Sequence, residues 1–175
     1  MRPLYRLRQG WNRVCVALRP SLVDDEAARG VLSTRDWGLF HRMPPGDRFH
    51  ALCVWRALQR EGALPPEVAA AALLHDVGKA DQGLTLPYRT AIVLLRALRP
   101  AWLERLGASK TPRCRRPFWA HLHHAEVGAG RCDEAHCEPL TIALVRWHDT
   151  ALDTAPDDPA LRYWLPQLQR ADDAC

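Results

Sequence analysis

A histidine and an aspartate stand side by side where a very apolar segment ends. The pair His75-Asp76 directly follows residues 69–74, which are four alanines and two leucines. An unpaired carboxylate is costly to bury, so this pair requires a cation or a network of hydrogen bonds, and a divalent metal ion would meet that requirement. Adjacent helical residues point about 100° apart, so one ion can bind both only at a helix end, which Gly78 supplies.

A second histidine lies on an inward-facing helix position upstream of this pair. His50 shares a predicted helix face with Cys53, Val54 and Ala57, at offsets of three, four and seven residues, and therefore points toward the core. A lone histidine in such a place is more often a hydrogen-bonded core residue than a metal ligand. His50 therefore becomes informative only together with other candidate ligands.

The segment 73–79, LLHDVGK, resembles the defining motif of the HD superfamily of metal-dependent phosphohydrolases (HD or HDIG-like). The pattern of that family is a histidine, then His-Asp, then a distant aspartate. His50 matches the first histidine, and Asp172 matches the last aspartate in a closing Ala-Asp element. The resemblance implies that these residues form one metal site with His75 and Asp76.

Two further elements extend the resemblance toward the subgroup that binds two metals. The segment that begins at His124 matches the His-x-x-x-Gly helix of that subgroup. His148 lies in the element that usually reads His-His-Glu. Because His148 is followed here by Asp149, a second ion would have fewer or different ligands. Asp149, His121 and His123 are the candidates to complete it, although His123 points away from the face that His121 and His124 share.

The resemblance implies a hydrolase that uses a metal-activated hydroxide to cleave a phosphomonoester or phosphodiester bond. The first substrate class that it implies is a nucleotide. Imidazole and carboxylate ligands suit one or two ions of Mn, Fe, Co, Ni or Zn better than Mg. Asp76 is the expected bridging and catalytic residue, and Lys79 the expected phosphate contact, since the chain otherwise has only one lysine. A helix-end lysine favoured by the helix dipole is the alternative for Lys79, and Arg89, Arg115 and Arg116 are weaker candidates for phosphate contact.

Three other interpretations stay open at this level. The first is a non-catalytic regulatory HD module that binds metal and nucleotide, although it would have no need to keep costly buried charges. The second is a nucleic-acid-binding helical protein that uses residues 1–20 and 110–116, but the net charge of +4 is too small to imply it. The third is a partial zinc site at Cys132, His136 and Cys137, which lacks a second ligand pair at the usual spacing.

The composition predicts an all-α fold. Ala and Leu supply 50 residues whereas Val, Ile and Thr supply 19, and no long stretch alternates apolar with polar residues. We expect a single-domain HD-type helical bundle over residues 47–175, with residues 1–46 as an N-terminal helical extension. The Arg-rich start favours an amphipathic helix over a surface for RNA or membranes.

Start and stop signals place the individual helices. We expect helices capped by Ser21 and Ser33, and further helices over about 47–61, 66–76, 87–98, 117–130 and 139–148. The segment 108–116 is predicted as an exposed basic loop, and Pro166 is expected to interrupt or restart the last helix.

The remaining residue patterns predict the protein's location and the state of its cysteines. No stretch of the sequence approaches the length of an apolar membrane span, and no export signal is recognisable, so the expected location is cytoplasmic. Most of the six cysteines are accordingly expected to be thiols. Most of Trp102, Trp119, Trp147 and Trp164 are expected in the core.

Overall fold

The computed structural model describes residues 24–175, and over that range the chain is an all-α bundle without strands. This confirms the predicted fold class; the N-terminal amphipathic helix and the Ser21 cap lie outside the described residues. The helices of residues 24–175 are α1 (Asp25–Arg29), α2 (Thr34–His41), α3 (Pro45–Glu61), α4 (Pro66–Leu74), α5 (Leu86–Leu98), α6 (Pro100–Gly107), α7 (Arg116–Glu134), α8 (Pro139–Trp147) and α9 (Pro159–Ala174). Short 3-10 helices lie at Val77–Lys79, Arg113–Arg115 and Leu152–Thr154.

Most helices begin at a proline. Each of α3 to α9 carries proline at its first or second position, where the missing N–H is not needed and the fixed φ suits a helix. At α2 the predicted cap is confirmed, because the Asp36 backbone N–H donates to Ser33 Oγ at 3.2 Å. These local signals explain why the observed helix starts lie close to the predicted ones.

The alanine-rich helix α4 forms the centre of the bundle. Its residues Val68 to Leu74 are all buried, and it packs between α3 and α8. Small side chains allow the neighbouring helices to approach closely. Phe40 and Met43, which precede the predicted start of the HD domain, are buried in the same core. The end of α4, where His75 and Asp76 lie, is thereby enclosed on several sides.

The prediction for Pro166 is wrong, because α9 continues through this residue from Pro159 to Ala174. The ring of Pro166 removes one backbone hydrogen bond, a loss that ordinarily ends or kinks a helix. On either side of it, Leu161, Leu165 and Leu168 are buried in the core. Their packing holds the helix together and carries it on to Asp172.

One pair of cysteines forms a disulfide, whereas most cysteines were expected to be thiols. Cys53 on α3 and Cys175, which follows α9, form a disulfide that closes a loop with a sequence separation of 122 residues. Cys114, Cys132 and Cys137 are free, as predicted for most cysteines. Cys53 lies one turn beyond His50 and Cys175 one turn beyond Asp172, so the bond joins α3 to the end of α9 beside these two residues.

The tryptophans divide between the core and the surface. Trp147 and Trp164 pack against the core and Trp119 is partly buried. Trp102 is 57% exposed and is the exception among the four tryptophans. No helix within residues 24–175 combines the length and the apolar character needed to cross a membrane.

Candidate metal centre

The six predicted metal-binding residues lie together inside the bundle. They come from five elements and converge at one point, although they are spread over more than 120 positions of the sequence. All except Asp172 are buried, and the side chain of Asp172 is 35% exposed. Solvent therefore reaches the cluster from the side of α9. The six residues are His50 (α3), His75 and Asp76 (the end of α4), His124 (α7), His148 (the end of α8) and Asp172 (α9).

The first group of candidate ligands consists of His50, His75 and Asp76, whose ligand atoms all lie within 4.8 Å of one another. His75 Nε2 is 3.8 Å from Asp76 Oδ2 and 3.6 Å from Asp172 Oδ1. His50 Nε2 is 2.7 Å from Asp172 Oδ1. Atoms that share an ion with bonds of about 2.1 Å stand about 3 to 4 Å apart, so this group, with Asp172, has the dimensions of a metal site.

The second group consists of Asp76, His124 and His148, within the same 4.8 Å limit. Asp76 Oδ1 is 3.6 Å from His124 Nε2 and 3.8 Å from His148 Nε2. The two imidazole nitrogens are 3.2 Å apart. Because Asp76 turns Oδ2 to the first group and Oδ1 to the second, its carboxylate is common to both.

Backbone contacts determine which nitrogen of these histidines carries hydrogen. The Nδ1 atoms of His75, His124 and His148 lie 2.9, 2.8 and 2.7 Å from the carbonyl oxygen three residues earlier. A carbonyl oxygen only accepts, so each Nδ1 must donate its N–H. In the neutral ring the other nitrogen, Nε2, then presents a lone pair to the centre of the cluster. This is the arrangement that metal-binding histidines require.

Several hydrogen-bond acceptors in the interior of the cluster have no donor between them. His124 Nε2 faces His148 Nε2, and neither neutral nitrogen has a hydrogen to give. His75 Nε2 and Asp76 Oδ2 are buried and have no hydrogen-bond partner among the described residues. Such orphaned acceptors are costly unless a cation lies among them. The donor set therefore fits one or two divalent ions of the imidazole-binding metals.

Asp76 is held in its ionised form. Burial alone would raise the pKa of its carboxyl, but Lys79, His75 and His124 together bring that pKa well below its usual range. Lys79 Nζ is 2.5 Å from Asp76 Oδ1, the same oxygen that faces the second group. The pKa of Asp172 is also lowered, against the effect of its burial, by the hydrogen bond from His50 and the charge of His75.

The turn after His75-Asp76 is fixed by a close approach of α7. A Cβ atom on Gly78 would overlap the carbonyl oxygen of His124 and would lie 2.7 Å from the backbone nitrogen of Gly128. Only glycine allows the two backbones this proximity. The His-x-x-x-Gly segment of α7 therefore contacts the turn directly, which sets His124 beside Asp76.

Two residues outside the sequence-predicted set support this arrangement. Arg131 donates to the carbonyl oxygens of Val77 and Ala80 at 2.8 and 3.1 Å, and so holds the turn against α7. Gln169 donates to the His148 carbonyl oxygen at 3.1 Å. Helical spacing is the sequence signal for both residues. Arg131 lies seven residues after His124 and Gln169 three residues before Asp172, so each shares a helix face with a candidate ligand.

The residues proposed to complete a second metal site lie at or beyond the edge of the cluster. His121 is half-buried with its ring stacked beside that of His124, and burial, Lys79 and Arg96 lower its pKa to about 4. His123 is exposed and stacks on Trp119, which confirms that it points elsewhere. Asp149 is exposed, and within residues 24–175 neither compact group includes it or His121.

Two of the arginines considered for phosphate contact have other partners. Arg89 donates to Asp47 at 2.7 Å, and Arg116 donates to Gln82 at 3.1 Å. Arg115 is half-buried. These contacts favour structural roles for Arg89 and Arg116.

The alternative zinc site at Cys132, His136 and Cys137 is not among the compact groups of candidate ligands within residues 24–175. The Cys137 thiol donates to Asp36 Oδ1 at 2.9 Å. Its hydrogen bond with Cys132 and its burial raise the pKa of Cys137 above the ordinary range. Cys137 is a hydrogen-bonded thiol without a compact group of other ligands around it, so this segment gives no support for a zinc site.

The metal-free protein is expected to lose stability as the pH falls below about 6.5. Burial and the charge of Lys79 lower the pKa of His124, and burial and His75 lower that of His148. Below pH 6.5 the unfolded chain therefore binds protons that the folded chain excludes, at a cost of roughly 1.4 kcal/mol per pH unit for each such histidine. Urea unfolding of chelator-treated protein between pH 7.5 and 5 measures this slope.

A variant tests whether that slope comes from the cluster. His124→Asn removes one of the shifted groups and should make the dependence of the unfolding free energy on pH shallower. An unfolding free energy that stays constant between pH 7.5 and 5 in the wild type would contradict the expectation.

The adjacent aspartates Asp172 and Asp173 offer a matched pair. Asp172 contacts His50, whereas Asp173 is exposed. We expect Asp172→Asn to weaken metal binding by about 10 to 100-fold, because it removes a charged ligand, and Asp173→Asn to leave affinity unchanged. Titration with Mn²⁺ or Zn²⁺ followed by calorimetry distinguishes them; equal affinities in the two variants would remove Asp172 from the site.

Comparison with known proteins yields no family model, no curated protein and no solved structure that matches the chain. The function is therefore inferred from the residues of the cluster themselves: buried histidines with inward lone pairs, a shared ionised carboxylate and a lysine beside it.

Proposed function

We propose that this protein is a metal-dependent phosphohydrolase of the HD type. It cleaves a phosphomonoester or phosphodiester bond, and the first substrate class that we expect is a nucleotide. The observation that supports it best is the carboxylate of Asp76, which offers one oxygen to each of two groups of histidine ligands. Paired sites that share a ligand are typical of enzymes that act on phosphate esters.

The residues of the cluster have different expected roles in metal binding. His50, His75 and Asp172 would hold one ion with Asp76, and His124 and His148 would hold a second. Such ions make water nucleophilic at neutral pH and offset negative charge on phosphate oxygens. The backbone bonds to Nδ1 orient the rings of His75, His124 and His148, so the ligand geometry is prepared before any ion binds.

Lys79 is the residue through which we expect the protein to bind phosphate. Its side chain is 16% exposed, and its ammonium group neutralises Asp76 Oδ1 in this structure. A cation at the second group would compete with Lys79 for that oxygen, because both approach the same atom. The ammonium is then available for an anionic phosphate oxygen at the solvent side of the cluster.

Metal analysis coupled to a hydrolysis screen tests this function. Protein purified without chelator is assayed for transition metals, and then with added Mn²⁺ against p-nitrophenyl phosphate, its diester, nucleoside monophosphates and cyclic nucleotides. We expect bound metal and release of phosphate or alcohol from at least one substrate. Metal without hydrolysis of any of them would favour the regulatory module. Less than about a tenth of an equivalent of metal, without activity on adding Mn²⁺, would reject the enzyme.

Replacement of Lys79 should separate phosphate binding from metal binding. Lys79→Met removes the ammonium and is expected to lower kcat/KM by about 10 to 100-fold, with a metal content equal to or above that of the wild type. Lys79→Arg keeps the charge and should recover part of the activity. Metal stoichiometry and steady-state kinetics are measured on the same samples. A loss of metal in Lys79→Met would assign the lysine a structural role.

A further inference from the structure

Helix α5 presents apolar side chains on both of its sides. Its inner side packs on α7, with Ile92 buried and the ring of Tyr88 5.6 Å from that of Phe118. On the outer side Leu86, Val93 and Leu94 are exposed by 49 to 54% and Leu98 by 73%. Trp102, on the following helix α6, continues this surface at 57%. Large exposed apolar side chains that are grouped on two adjoining helices are typical of an interaction site.

The apolar positions of α5 form a stripe rather than a scatter. Leu86, Val93 and Ala97 follow at offsets of seven and four residues, which keeps them on one helix face, and Leu94 and Leu98 lie beside them. Arg96 is exposed next to the stripe. The outer face therefore combines aliphatic side chains with a flanking cation.

Positive charge is concentrated in the same part of the chain. Residues 86–116 contain eight basic residues and one acidic residue, a net charge of +7. The other residues of 24–175 contain eleven basic and nineteen acidic residues, a net charge of −8. The described part of the molecule is thus strongly polarised, and the positive side is the one that carries the apolar stripe.

Three exposed arginines of this surface are not used in ion pairs. Arg96, Arg99 and Arg105 are exposed, and none lies in a salt bridge with a carboxylate of the described residues. By contrast Arg48 and Arg56, on α3, pair with Asp25 and Asp24 at 3.2 and 2.7 Å. Arg96, Arg99 and Arg105 therefore remain available to an external anion, whereas Arg89 of α5 pairs with Asp47.

We propose that α5, α6 and the basic segment 108–116 form a docking surface for an anionic lipid bilayer. Exposed leucines and a tryptophan would enter the headgroup region, while the surrounding cations face lipid phosphates. A second copy of the chain fits less well, because two surfaces of charge +7 would meet. A nucleic acid would satisfy the cations but would leave the leucine stripe in water.

The proposed docking surface does not depend on the proposed hydrolase activity, but it lies close to the candidate metal ligands. Helix α5 packs directly on α7, the helix that carries His124. A bilayer on the outer side of α5 would therefore lie one helix layer from the candidate metal centre.

Vesicle co-sedimentation of the full chain tests the proposal. The probes are vesicles of phosphatidylcholine and phosphatidylglycerol in a ratio of about two to one, and vesicles of phosphatidylcholine alone. We expect binding to the anionic vesicles that is at least about tenfold tighter than to the neutral ones and that weakens with salt. Absence of binding to the anionic vesicles would overturn the proposal.

Variants assign the binding to this surface. Leu94→Glu with Leu98→Glu places charge on the stripe at exposed positions and should reduce vesicle binding by about tenfold or more, with the circular dichroism spectrum unchanged. Tyr163→Glu, at a side chain 63% exposed on α9, is the matched control and should bind as the wild type does. Arg96→Glu with Arg99→Glu should also reduce binding.

Several outcomes would overturn the assignment. Wild-type binding by the leucine variant would place the membrane contact elsewhere, for example in the Arg-rich residues 1–20. Equally tight binding of an RNA duplex by the wild type and the leucine variant, with no preference for vesicles, would indicate a nucleic-acid surface. Self-association that the leucine variant abolishes, without vesicle binding, would indicate a dimer interface.

Discussion

Asp76→Asn is expected to abolish the proposed hydrolysis, with a loss of about a thousandfold or more in kcat, and to weaken metal binding at the candidate centre. The substitution keeps the shape of the side chain but removes the charge that two groups of histidines share. A thousandfold loss corresponds to roughly 4 kcal/mol of transition-state stabilisation, within the range for residues that position a catalytic metal. Metal analysis and phosphate release on the same preparation measure both effects.

A second buried aspartate provides the control for Asp76→Asn. Asp47 is as buried as Asp76, but it pairs with Arg89 at 2.7 Å and belongs to neither candidate ligand group of the described residues. Asp47→Asn should keep the metal and most of the activity, even if its melting temperature falls. If Asp76→Asn retained a full complement of metal, or if both variants lost it equally, the bridging role of Asp76 would be disproved.

Gly78→Ala is expected to have the largest effect on folding. Its methyl group would overlap the His124 carbonyl oxygen, and the backbone nitrogen of Gly128 is only 2.7 Å away. Because both neighbours are backbone atoms of a long helix, no side chain can move aside to make room. We expect a loss of about 3 kcal/mol or more in the free energy of unfolding, together with weaker metal binding, as measured by urea denaturation and calorimetry.

Glycines elsewhere in helices supply the matched controls. A Cβ atom at Gly38 in α2 or at Gly130 in α7 would meet no other atom within 4 Å. Gly38→Ala and Gly130→Ala should therefore be neutral or stabilise by about 0.5 to 1 kcal/mol, because alanine favours the helix. A Gly78→Ala protein as stable as these controls would show that α7 does not need its close approach to the turn.

Elements governed by local chemistry were predictable from the sequence. The capping serine Ser33 and the prolines at helix starts act within a few residues, so the helices lie close to their expected positions. Pro166 and the disulfide between Cys53 and Cys175 were not predictable, since each depends on distant partners. Packing of leucines around Pro166 outweighs the lost hydrogen bond, and a cysteine pairing cannot be deduced from spacing alone.

The candidate site also has features that local sequence predicts and features that depend on distant partners. Residue type and spacing identify His50, His75, Asp76 and Asp172 as metal-binding candidates through their resemblance to a known motif, and the apolar segment before His75 requires that the pair be buried. Separations of up to 122 residues between His50 and Asp172 say nothing about distance in space. Whether such residues meet depends on how α3, α7 and α9 pack around α4.

The sequence by itself determined the helical class and most helix starts, because these follow from local propensity, and its resemblance to a known motif supplied the ligand candidates. Only the tertiary structure decided that Asp76 is shared by two groups, that the imidazole lone pairs face one another, and that neither group of residues 24–175 includes His121 or Asp149. It also decided that the stripe on α5 faces outward. These features depend on the close contact of α7 with the turn at Gly78 and on helix rotation, which long-range packing alone determines.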